Sequence, residues 1–216
     1  MSFFSPYHQF PKTGLIHWLL LGILLLASII ASINPLDFDS YLLHQTGTIL
    51  GAALLLFLQL QRNVSISGFV QVIVFILLHI LGAHYLYSFV PYNEWIKNWF
   101  DFDLNQHFGW SRNMYDRLIH FAYGLLLFKI CCDVFSVWLP QVKPFKIALL
   151  AIQFIMATSM VYELIEWLIA IGLSPEAAEN YNGQQGDMWD AQKDMALATL
   201  GALCAALIQR FYSLFK

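Results

Sequence analysis

Charge is what this chain has least of. Asp, Glu, Lys and Arg make up 12% of its 216 residues, against about a quarter in an average soluble domain. So few charges cannot cover a water-facing surface, which excludes a soluble globular domain. Basic runs are missing as well: 11 Lys and Arg stand against 14 Asp and Glu, for a formal net charge of -3. With no basic field, nucleic acid is excluded as a partner. Cysteine is limited to Cys131, Cys132 and Cys204, all inside apolar runs, which leaves neither a disulfide framework nor a CxxC metal site. HExxH, GxSxG and the P-loop are absent too, so no short motif names a reaction.

What is present is apolar: 59% of residues are hydrophobic, 16% are aromatic, and the mean hydropathy is +0.60. Six runs are long enough to span a bilayer, at about residues 15–33, 41–60, 68–90, 116–139, 146–171 and 190–211. The first, "LIHWLLLGILLLASIIASI", is followed by Asn34 and Pro35 rather than a small-x-small site, so it reads as a retained helix and not a cleaved signal. The predicted fold is all-α, a six-transmembrane-helix bundle forming one integral membrane domain over 1–216. Breaks such as "NPLDFD", "PQVKP" and "GLSPEAAENYNGQQG" separate the runs, with no internal repeat. Basic loop residues set the orientation. Lys12, Arg62, Lys143, Lys146, Arg210 and Lys216 fall on one side and Lys97 and Arg112 on the other, which predicts cytoplasmic N- and C-termini.

With that orientation, the ionisable residues of the last four runs converge on one depth near the outer face. The third run carries His79 and His84; the fourth opens with Asp116, Arg117 and His120; the fifth ends with Glu163 and Glu166; the sixth begins beside Asp187, Asp190, Lys193 and Asp194. Only Lys129 and Asp133 lie deeper. Spacings of three, four and seven put each set on one helix face. His79 and His84, five apart, diverge by about 140°, and His84, nearer the surface, is the one favoured. A carboxylate at mid-membrane depth costs about 2.5 to 3.5 kcal/mol on insertion scales, so such groups face a bundle interior and have partners. Asp116, Asp187 and Asp190 also suit helix N-termini, and an ion pair of Glu163 or Glu166 with Arg117 would account for the glutamates structurally. Trp167, Trp189 and Tyr181 suit an interfacial aromatic belt, and Gly201, with Ala202 and Ala205, suits close helix packing.

The blocks "LLHILGAHYLY", "YDRLIHFAYGLL", "YELIEW" and "QGDMWDAQKDMALATLGA", in that order over about residues 77–202, resemble the YjdF family of bacterial inner-membrane proteins. The resemblance implies residence in the bacterial inner membrane and carries no activity with it. More distantly, Asp116, Arg117, His120 and Phe121, followed by Glu163 or Glu166 and then Asp194 and Gly201, resemble the pattern of VanZ-type membrane proteins, which are associated with glycopeptide tolerance at the cell envelope. The chain departs from the YjdF pattern late in the fourth run, where Cys132 and Asp133 replace an Arg-Glu pair.

Three functions fit this pattern. In the first, Asp116, His120, Glu163, Glu166 and Asp194 act in a hydrolase or transferase working on a lipid or lipid-linked envelope substrate. They would do so as general acid and base, or by holding a divalent metal with His120, Glu163, Glu166, Asp190 and Asp194 as ligands. In the second, the same pocket binds a membrane lipid or partner without catalysis, and in the third it serves cation- or proton-linked transport. In each, Asp116, His120, Glu163, Glu166, Asp190 and Asp194 are expected to share a single cavity.

Overall fold

The computed structural model describes residues 9–172 and 174–214. Among them, the regular secondary structure consists of helices, as lipid requires of a chain that must satisfy its own backbone hydrogen bonds. They are α1 (Leu15–Ala31), α2 (Phe38–Leu60), α3 (Ile66–His84), α4 (Tyr92–Phe100), α5 (Leu104–Phe108), α6 (Tyr115–Trp138), α7 (Pro144–Gly172), α8 (Pro175–Asn182) and α9 (Asp190–Leu214). Five of these, α2, α3, α6, α7 and α9, are long and apolar enough to cross a membrane. The first of the six expected runs forms α1, a shorter apolar helix of 17 residues, about 25 Å long.

Local chemistry sets the helix ends. The Asp37 carboxylate accepts from Ser40 N at 2.8 Å to cap α2, and that bond holds its carboxyl below the usual range. Ser65 caps α3 by accepting from Gly68 N at 3.1 Å. The predicted third helix runs six residues too far. The chain turns at Leu86 and Tyr87, both at positive φ, and Tyr87 N donates back to Gly82 O at 2.8 Å. Gly82 permits this, because a Cβ there would meet the Tyr87 ring at 2.7 Å. Three short helices, α4, α5 and α8, form in stretches expected to be loops.

In the packing, α3 and α6 are central. On one side of them Leu24, Leu55, Phe69, Ile73 and Ile130 join α1, α2, α3 and α6, and on the other Phe128, Ile155, Ala198 and Ala202 join α6, α7 and α9. The closest crossing is between α6 and α9, where backbones touch. A Cβ on Gly124 would overlap the Ala198 carbonyl, and one on Gly201 would overlap that of Phe121. Gly201 thus has its expected role, with Gly124 as its counterpart. Deeper in α6, Asp133 is buried and accepts from Ser65 N at 3.0 Å and Ser65 Oγ at 2.5 Å while pairing with Lys129, so it ties α6 to the start of α3. The outward faces stay apolar: Leu19, Leu25, Leu50, Phe57, Leu168 and Ile208 are all exposed, a surface made for hydrocarbon.

Candidate functional site

Where α6 begins and α9 begins, charges from two helices meet. Arg117 on α6 donates to Asp190 Oδ1 at 2.5 Å, Asp187 Oδ2 at 3.0 Å and the Asp190 carbonyl at 3.0 Å, and its Nη1 lies 2.5 Å from Asp194 Oδ1. Arg112 adds a 2.8 Å bond to Asp190 and reaches the Gly183 carbonyl. Lys193 pairs with Asp187 at 2.6 Å. That ammonium and the Trp189 N–H together hold the Asp187 carboxyl down to about 2. The loops before both helices are latched to each other by Asn113 N donating to Gln185 Oε1 at 2.9 Å and Gln185 Nε2 donating to the Asn113 carbonyl at 3.1 Å.

Beside this cluster opens a cavity of about 520 Å³, within the usual range of about 300 to 1,000 Å³ for small-molecule sites. It is lined by α2, α3, α6 and α7. α8 contacts both α2 and α7 and contributes Tyr181 and Asn182 to the wall. At the α8 end the lining is polar, with Asp116, His120, Glu166, His44 and His79 among the aromatic rings of Tyr87, Tyr162 and Tyr181. From Tyr123 onward it is apolar, by way of Leu54, Leu58, Phe75, Leu127 and Phe154 as far as Trp138. Asp116 to Trp138 is about 33 Å along α6, roughly the depth of a hydrocarbon core. The space is therefore a slot, polar at one end.

Within the polar end, His120 stands between two carboxylates, with Nε2 3.6 Å from Asp116 Oδ1 and Nδ1 3.7 Å from Glu163 Oε1. Among the described residues, both ring nitrogens of His44, Thr48 Oγ1, Ser159 Oγ and Asn182 Oδ1 are buried without a hydrogen-bond partner, and all four residues line the slot. Buried polar groups are rarely left so. Among the described residues, one set offers metal-ligand atoms within 4.8 Å of one another: Asp116, His120 and Asp194. The guanidinium of Arg117 already neutralises Asp194 there, so a cation would have to displace it.

The family model for "Predicted membrane protein (DUF2238)" matches residues 16–214. The chain belongs to the DUF2238 family. It is also 30% identical over 192 residues to "Inner membrane protein YjdF" of Escherichia coli (strain K12), covering 88% of this chain and 87% of that protein. No solved structure matches. It is thus a multi-pass membrane protein of the YjdF/DUF2238 family, and the matched region spans both the ion cluster and the slot.

In this DUF2238 chain, the six residues expected to share one cavity divide into two groups. Asp116, His120 and Glu166 line the slot, whereas Glu163, Asp190 and Asp194 are buried but are not among its lining residues. Arg117 pairs with the α9 aspartates and not with Glu163 or Glu166. His84 lies away from the slot, its Nδ1 2.8 Å from the Ala31 carbonyl, and His79, next to the Tyr87 hydroxyl, takes the place expected for it. Tyr181 is not part of an interfacial belt: it is buried and stacks on His44 at 4.5 Å, while Trp167 and Trp189 are exposed. The contribution of α2 was missed, although "YLLHQTGT" holds His44 and Thr48 four residues apart in an otherwise apolar run, the spacing of one helix face.

Proposed function

We propose that this DUF2238 protein binds a membrane lipid or lipid-linked envelope molecule in the slot and acts on its head group as a hydrolase or transferase. The observation that carries this reading is the form of the slot, which continues from a carboxylate and imidazole end into about a bilayer's depth of apolar wall. Asp116 and His120, both on the slot wall, would serve as general acid and base, removing a proton from a nucleophile and returning one to a leaving group, with the buried Glu163 carboxylate 3.7 Å from the other ring nitrogen of His120. Since Arg117 neutralises Asp194, the chemistry proposed is metal-free. In this reading α1 is a sixth span, both termini are cytoplasmic, and the polar end opens at the periplasmic face of the inner membrane. Transport is less well supported, because the wall below Tyr123 offers a cation almost no ligand.

A second reading, lipid binding without catalysis, is favoured by the state of Asp187, Asp190 and Asp194, which are engaged in ion pairs. Turnover separates the two. The purified protein in lipid nanodiscs is incubated with phospholipid and polyprenyl-phosphate substrates, with and without EDTA, beside Asp116→Asn and His120→Ala. The enzyme reading expects product formation that survives EDTA and falls in both variants. Bound lipid with no product from any substrate would move the conclusion to the second reading. Failure of lipid to bind at all would remove both.

A further inference from the structure

The polar end of the slot is poor in positive charge. Among the described residues no Lys or Arg lines it. Around it, the six carboxylates of Asp116, Glu163, Glu166, Asp187, Asp190 and Asp194 stand against three cations, Arg112, Arg117 and Lys193, all of which are paired with Asp187, Asp190 or Asp194. Asp116 and Glu166 are the carboxylates on the wall itself. A head group of net negative charge placed here would meet like charge in a buried site, which is unfavourable.

Aromatic rings surround the same space. Tyr181 lies parallel to His44, at 14° and 4.5 Å, and the Tyr87 ring is 5.1 Å from His44. Tyr87, Tyr162 and Tyr181 line the slot together with Glu166. His44, 3% exposed, lines the slot with two ring nitrogens that have no hydrogen-bond partner among the described residues, so the wall includes a buried polar group open to a ligand atom. Tyrosine faces with nearby carboxylates are the chemistry by which proteins hold ammonium groups.

We propose that the polar end recognises an ammonium-bearing lipid head group, held by Glu166 and Asp116 and faced by the rings of Tyr87, Tyr162 and Tyr181. This rests on the slot being a lipid site, and it names the class of head group. The test measures binding of phosphatidylethanolamine, phosphatidylcholine and phosphatidylglycerol with identical acyl chains to the full chain in detergent, by native mass spectrometry, beside Glu166→Gln and Tyr181→Phe. The expected result is that the two ammonium lipids bind about tenfold more tightly than phosphatidylglycerol. Glu166→Gln should abolish that preference, weakening the two ammonium lipids and easing phosphatidylglycerol as one like charge is removed, and Tyr181→Phe, which keeps the ring, should retain it. Equal binding of all three, or tighter binding of phosphatidylglycerol, overturns the head-group assignment and leaves the lipid slot standing. No binding of any of them overturns both. Should Glu166→Gln fail to fold, the preference of the unmodified protein alone still decides.

Discussion

Replacing Arg117 with Met should strand a buried charge, and the structure says whose. Asp190 and Asp187 keep Arg112 and Lys193 as partners, whereas among the described residues Arg117 is the only ion-pair partner of Asp194, which is 2% exposed. Breaking a buried pair by removing one member costs about 3 to 5 kcal/mol. At about 2 to 4 °C per kcal/mol for a chain of this size, the melting temperature should fall by roughly 6 to 20 °C. Asp194→Asn should cost less, about 1 to 2 kcal/mol, because Arg117 still holds Asp190, Asp187 and the Asp190 carbonyl. With both changes made, neither charge is stranded, so the double variant should be more stable than additivity implies by about 2 kcal/mol. Thermal unfolding in detergent of the four proteins closes the cycle. An Arg117→Met protein within about 2 °C of the parent, or strict additivity within about 0.5 kcal/mol, would refute the pairing.

Two further outcomes follow from the geometry. At the α6–α9 crossing, Gly124→Ala should destabilise by about 1 to 3 kcal/mol, since its Cβ overlaps the Ala198 carbonyl. Gly22→Ala in α1, where a Cβ meets nothing within 4 Å, should be neutral or stabilising by up to about 1 kcal/mol, and equal effects on melting temperature would contradict the backbone contact. For Asp187, a folded carboxyl at about 2 lies below the ordinary value of about 3.9, so its stabilisation is complete above the ordinary value and disappears as pH falls from about 4 through about 2. The stability difference between the parent and Lys193→Met should therefore be constant near neutrality and shrink in that window, and a difference independent of pH would count against the pair.

The depth of the polar residues was legible in the sequence, because ionisable side chains in apolar helices are too costly to be scattered. Which of them meet was not. A period of 3.6 gives Asp116 and His120 a common face, or Asp190 and Asp194, but says nothing of how far each helix is rotated toward its neighbours. Arg117 accordingly looked like a partner for Glu163 or Glu166, whereas the Gly124–Gly201 contact brings α9 against α6 and delivers the aspartates to it. The choice between His79 and His84 depended on a backbone reversal at Leu86 and Tyr87 that no hydropathy pattern announces. His84 was favoured for its depth, yet the turn brings the Tyr87 ring back over Gly82 to His79. The short helices α4, α5 and α8 escaped because their residues are polar and aromatic in no long period, and with α8 the place of Tyr181 in the slot wall escaped too.

The ion cluster also bears on how the chain is assembled. Arg117 enters the membrane with α6, but all three of its carboxylate partners lie some seventy residues later, after α7 and α8 have been made. Until that part of the chain arrives, the guanidinium lacks these three partners, and it sits near the helix end, where the lipid penalty is smallest. Arrival of α9 then does two things in one step: it neutralises the arginine, and it closes the glycine seam that holds the two helices together. A chain cut before residue 187 would lack all three of these carboxylates and the glycine seam together.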